Sequence, residues 1–169
     1  MSTTTRQHRS IQQRPWARVL TRGPRVIATP SARAVVTARA VVTVLILAGA
    51  VLTVISGVIH LYLRGEANGY RQIPTIGPLF LAQGIAAVLI GLATAVTRRL
   101  ILVLTAAGTL VATAAGLVIT IEHGLFGFRE SWGAPYARTS VYEEIAGAVL
   151  LLIAAAALAW PRRRDRQSG

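Results

Sequence analysis

Two histidines, His60 and His123, stand with Glu122, Glu144 and Gln83 as the residues of this sequence best suited to hold a ligand. Imidazoles and carboxylates together suit a divalent metal such as zinc, iron or manganese. A pair of imidazoles can also serve as axial ligands to a haem. The same groups could relay protons or hydrogen-bond a small molecule such as a quinone. Their spacing does not choose among these chemistries, because the sequence has no HExxH, no CxxCH and no pair of histidines on adjacent turns of one helix. Cysteine is absent, which excludes disulfides, thiolate nucleophiles and Cys-based metal centres. Each residue also has a structural reading. Glu143 completes a capping box with Ser140, and Glu144 in a first helical turn favours the positive end of the helix dipole. The histidines can simply be hydrated at a membrane interface. Glu122 can pair with Arg129 or Arg64, and membrane Ser and Thr often bond back to their own helix. No residue set points to a catalytic centre.

The elements that must position these residues are legible in the hydropathy pattern. Of 169 residues, 53% are hydrophobic and 14% charged, with a mean hydropathy of +0.55. A water-facing domain carries about 25% charged residues, so this chain has too few to coat a soluble surface. Four apolar runs, at about 41–63, 79–96, 100–121 and 141–160, each approach the ~20 residues that cross a hydrocarbon core. Backbone groups in lipid must be satisfied internally, so the runs are helices. The expected fold is all-α, a transmembrane four-helix up-down bundle spanning residues 35–160. Arg-rich residues 1–34 read as a disordered cytoplasmic tail, and residues 161–169 as a second basic tail. A perfect repeat, Ala32-Arg33-Ala34-Val35-Val36-Thr37 and then Ala38-Arg39-Ala40-Val41-Val42-Thr43, extends the first helix toward the cytoplasmic interface, with Ser31 as a cap.

All 18 basic residues are Arg, and their placement sets the expected orientation. Fourteen fall in the N-terminal segment, the 97–99 link and the C-terminal tail, against four (Arg64, Arg71, Arg129 and Arg138) on the other side. Both termini are therefore expected in the cytoplasm. The net charge of +12 flanks apolar spans, so the expected partner is the lipid bilayer, with other membrane proteins or further copies of this chain, and not nucleic acid.

With this topology His60 and His123 reach the same outer face. Gln83 lies about one turn inside it, and Glu143 and Glu144 at the entrance of helix 4. Thr53, Ser56 and His60 share one face of helix 1. Thr109, Thr113, Gly116, Thr120 and His123 share one face of helix 3, so two polar stripes could line a cavity opening outward. Small residues repeat every four positions at Gly49/Thr53/Gly57, Ala87/Gly91/Ala95 and Gly108/Ala112/Gly116, a spacing that lets membrane helices approach closely. The loop 124–132, rich in Gly and aromatics, reads either as an interfacial anchor or as a lid over the bundle.

The run Ile55-Ser56-Gly57-Val58-Ile59-His60-Leu61, with Ile73-Pro74-Thr75-Ile76-Gly77-Pro78-Leu79-Phe80-Leu81-Ala82-Gln83-Gly84, resembles small four-helix integral membrane proteins of high-GC Gram-positive bacteria. The layout over residues 41–160 is also similar to DoxX-like proteins, which have a Ser-Gly near the outer end of helix 1 and a small-residue-rich helix 2. Where those proteins often carry an acid in helix 2, this sequence has Gln83. The resemblance implies a bacterial plasma membrane and an association with membrane redox homeostasis. The leading expectation is a non-enzymatic subunit or small-ligand-binding partner in a membrane assembly. The alternatives are a haem- or metal-binding redox protein using His60 and His123, and a small oligomeric transporter.

Overall fold

The computed structural model describes residues 31–65 and 69–167. Four helices make up nearly all of it: α1 (Ala32–Arg64), α2 (Ile76–Thr97), α3 (Leu100–Glu122) and α4 (Ala137–Gln167), with a 3₁₀ turn (Tyr70–Gln72) between α1 and α2. The shortest, α2, has 22 residues and is about 33 Å long at 1.5 Å per residue. All four are long and apolar enough to cross a membrane. Their outer faces carry exposed Val44, Leu89, Val96, Ile101 and Ile153, each more than half exposed. Such a belt would be far too large an apolar surface for a soluble monomer, whereas lipid tails solvate it. The fold is an all-α four-helix bundle with the surface of a multi-pass membrane protein.

The bundle is built from unequal contacts. α1 packs most extensively on α2, α4 packs on both α1 and α3, and α2 and α3 meet much less. The cause lies in glycine. A Cβ on Gly57 would stand 2.8 Å from the Gly84 carbonyl oxygen, and one on Gly91 would stand 2.9 Å from the Ala50 carbonyl oxygen. These glycines let the α1 and α2 backbones touch. Chain connection matters less: the short link 97–99 does pair α2 with α3 in sequence, yet glycine draws α2 toward α1. Near that link Thr94 Oγ1 still donates to the Leu102 carbonyl at 3.2 Å.

The hairpin-end half of the bundle is filled by Ile46, Val103, Leu110, Leu151 and Ala154. The opposite, loop-end half holds a smaller cluster of Leu63, Tyr70 and Ile76, with Phe80 and Phe128 packed against it. The interior is therefore dense at one end and aromatic at the other.

Three expectations need correction. Helix 4 starts at Ala137, before Ser140, because turns at 131–137 have already wound the chain: Ala134 N donates to Ser131 O, Ala137 N to Ala134 O and Ser140 N to Tyr136 O. Ser140 is thus a first-turn residue and not a cap, and Glu143 is free of the capping role. The Gly108/Ala112/Gly116 row does not form a tight seam: a Cβ on Gly108 or Gly116 would meet nothing within 4 Å. Helix 4 also continues past Trp160 to Gln167. The repeat at 32–43 does lie within α1, so residues 32–34 of the tail expected at 1–34 are helical, and residues 1–30 of it lie outside the described residues.

Candidate functional site

A cavity of about 170 Å³ lies among the loop-end halves of the four helices. α1 gives it His60, α2 gives Phe80 and Gln83, α3 gives Thr113, Gly116 and Thr120, and α4 gives Ser140 and Glu144. The connection between α3 and α4 forms its outer wall through Leu125, Phe128, Glu130 and Tyr136. That connection holds its shape by a two-residue reversal. Leu125 N donates to Phe128 O at 2.7 Å and Phe128 N to Leu125 O at 2.9 Å. Phe126 and Gly127 sit at φ 53° and 76°, the pattern of a type I′ turn. Arg129 fastens the end of α3, with Nε donating to Ile121 O at 3.1 Å and a terminal nitrogen to Glu122 O at 2.8 Å.

Glu144 is the unusual member of this wall. Its side chain is 0% exposed. Ser56 Oγ on α1 donates to its Oε1 at 2.7 Å, while Oε2 is buried with no hydrogen-bond partner. A buried polar atom without a partner costs ~1–3 kcal/mol, and more when charged. The adjacent Glu143 has both carboxylate oxygens buried and unpartnered, but it is not among the residues that line the cavity.

His60, Thr113, Thr120 and Gln83 each have a hydrogen-bond partner on the protein. His60 Nδ1 lies 2.8 Å from the Ser56 carbonyl. A carbonyl only accepts, so Nδ1 carries the hydrogen and a neutral ring leaves Nε2 as an acceptor. Thr113 Oγ1 donates to Thr109 O at 2.8 Å, and Thr120 Oγ1 to Gly116 O at 2.7 Å. Gln83 Nε2 donates to Thr113 Oγ1 at 2.5 Å, bridging α2 to α3.

Aromatic rings line the rest. Phe80 stacks on Tyr70 with centroids 5.0 Å apart and planes at 16°, and His60 tilts against Phe80 at the same distance. Phe128 meets Tyr70 edge-on at 6.0 Å. Tyr70 OH donates to Glu130 Oε2, and Ser131 N donates to Glu130 Oε1 at 3.0 Å. Burial raises the Tyr70 phenol above its ordinary range, and the Glu130 carboxylate beside it adds to the shift. Because the folded value is the higher one, this pair's contribution to stability is fully present below the unfolded tyrosine pKa of about 10 and is lost as pH rises through the folded value. Unfolding measured from pH 8 to 12 is expected to show that alkaline loss in the native chain and a flatter profile in Tyr70→Phe.

Of the residues expected from sequence, His60, Gln83 and Glu144 share this cavity. His123 ends α3 as an exposed residue, Glu122 is also exposed, and neither lines the cavity. Among the described residues, no three of the His, Asp and Glu side chains come together as a metal site. Two parts of the site escaped sequence reasoning. One is the Ser56–Glu144 bond between helices. The other is the ring series Phe80, Tyr70 and Phe128. Phe80 lies three residues before Gln83, on the same helical face, and that spacing was a usable signal.

No protein-family model matches the chain, and neither a curated protein nor a solved structure matches it.

Proposed function

We propose that this protein is a non-enzymatic, multi-pass protein of a bacterial plasma membrane that binds a small, largely apolar organic molecule in its loop-end cavity, by itself or as a subunit of a membrane assembly. Arg placement supports an outer-face position for that cavity, with both termini in the cytoplasm. The observation that carries the reading is Glu144, fully buried on the wall of an aromatic cavity with one oxygen lacking a partner. Ionisable groups at membrane depth are expensive and mark functional sites by default. Ligand pockets are mostly apolar, with a few polar groups that fix orientation. A cavity of this size suits a single small ring, since a dry 150 Å³ engineered cavity elsewhere takes up benzene. The layout similar to DoxX-like proteins fits a place beside a redox assembly in the same membrane.

Saturation-transfer NMR with benzyl alcohol tests this on the whole chain in deuterated detergent. The expected result is a saturable signal with one site per chain. A signal that only grows linearly with concentration, as in empty micelles, for benzyl alcohol and for its toluene, benzylammonium and benzoate analogues alike, would sink the reading.

A further inference from the structure

The polar inventory of the cavity is one-sided. Glu144 Oε2 is buried without a hydrogen-bond partner and, when ionised, can only accept; His60 Nε2 is left as an acceptor once Nδ1 is spent on the Ser56 carbonyl. The hydroxyls of Thr113 and Thr120 and the phenol of Tyr70 are already donating elsewhere. Ser140, the Tyr136 phenol and the second hydrogen of Gln83 are the donors that remain on the described wall. Charge is one-sided too. Glu144 and Glu130 line the cavity, while no Arg is among the residues that do, and the chain has no Lys. Glu130 is satisfied by Tyr70 and Ser131, so the unmet demand falls on Glu144. A carboxylate in a low dielectric keeps its charge only when a compensating charge sits beside it. Here no side chain on the wall supplies that charge. The faces of Phe80, Tyr70 and Phe128 attract cations as well, through their ring quadrupoles.

We infer that the cavity selects small organic cations, protonated amines carried on an apolar body, with the ammonium on Glu144 Oε2 and the body against the Phe80 and Tyr70 rings. The inference rests on the small-ligand reading above and names its substrate class. It excludes carboxylates and phosphates, which would meet Glu144 with like charge. It also disfavours acceptor-only molecules such as oxidised quinones, which find few donors on the wall.

Four probes of nearly equal size separate the possibilities: toluene, benzyl alcohol, benzylammonium and benzoate. Dissociation constants are measured on the full chain in mild detergent, native and with Glu144→Gln. Benzylammonium is expected to bind at least about tenfold more tightly than toluene, as a charge-assisted hydrogen bond in a dry site allows, and benzoate is expected to show no saturable binding. In Glu144→Gln the preference for benzylammonium is expected to vanish while toluene binding persists, which also reports that the variant is folded. Equal affinity for benzylammonium and toluene, saturable benzoate binding, or an unchanged amine preference in Glu144→Gln would each overturn the inference and leave the small-ligand reading in place. Failure of all four probes to saturate would overturn both. If Glu144→Gln does not fold, Ser56→Ala serves instead: it leaves the carboxylate in place, so the preference for benzylammonium over toluene should persist, and its loss would count against the assignment.

Discussion

Replacing Gly116 with Leu is expected to abolish ligand uptake by the cavity and to leave the bundle at least as stable as before. Gly116 faces the cavity from α3, and a Cβ built there meets nothing within 4 Å. The first atom of the new side chain therefore enters open space beside the cavity. Gly in a helix interior costs about 1 kcal/mol relative to good helix formers, so its removal offsets any minor crowding further out. Filling a void also restores dispersion contacts that its lining lacks. Opposite movements of two observables give this variant its value: saturable probe binding disappears, while the unfolding midpoint in detergent holds or rises. A fall in both would mean that the Leu side chain disturbs the fold, and Gly116→Ala would then show whether smaller filling lowers affinity alone.

Gly84→Leu should do the reverse and destroy the bundle. A Cβ at Gly84 would stand 2.6 Å from Leu61 Cγ and 3.0 Å from the Gly57 carbonyl oxygen. Leu61 can rotate away from an added methyl, but the Gly57 backbone cannot move without separating α1 from α2, the most extensive helix pair in the molecule. Overpacking a tight core costs ~1–3 kcal/mol per site and sometimes more, and here the strain falls on backbone along a whole seam. In lipid, close packing is itself a main source of helix association. The expected result is a loss of at least about 3 kcal/mol, read as a large drop in unfolding midpoint or as failure to purify. Gly108→Leu serves as the control, because the same change there meets open space and should be nearly silent.

The sequence made the four helices legible because lipid imposes a length and an apolar composition that Ala, Val, Leu and Ile runs satisfy openly. Helix ends were harder to place. Ser140-Val141-Tyr142-Glu143 has the spacing of a capping box, but Pro135 and Tyr136, at φ 63°, had already turned the chain into α4. Small-residue spacing was informative on α1 and α2, where Gly57, Gly84 and Gly91 meet backbone, and misleading on α3, where Gly108 faces outward. A four-residue period says which residues share a face. It does not say whether that face meets a helix, a cavity or lipid.

The site was legible in part for the same reason. The polar stripe Thr113, Gly116 and Thr120 does face the cavity, and His60, Gln83 and Glu144 join it from three other helices. His123 continues the stripe in sequence, but α3 ends just before it and the chain turns away through Gly124 at φ 79°. The pairing of Ser56 with Glu144 joins residues 88 apart. No local pattern marks such a contact, which depends on how α1 meets α4.

The cavity beside Glu144 is proposed here as the binding site for a small organic molecule. Crystals of the whole chain grown with 4-bromobenzylammonium would locate it most directly, since bromine gives an anomalous signal of its own. One strong peak per chain is expected inside the bundle, between Phe80 and Gly116, with the ammonium directed at Glu144. Peaks confined to the lipid-facing surface, with the cavity empty at saturating ligand, would contradict the proposal.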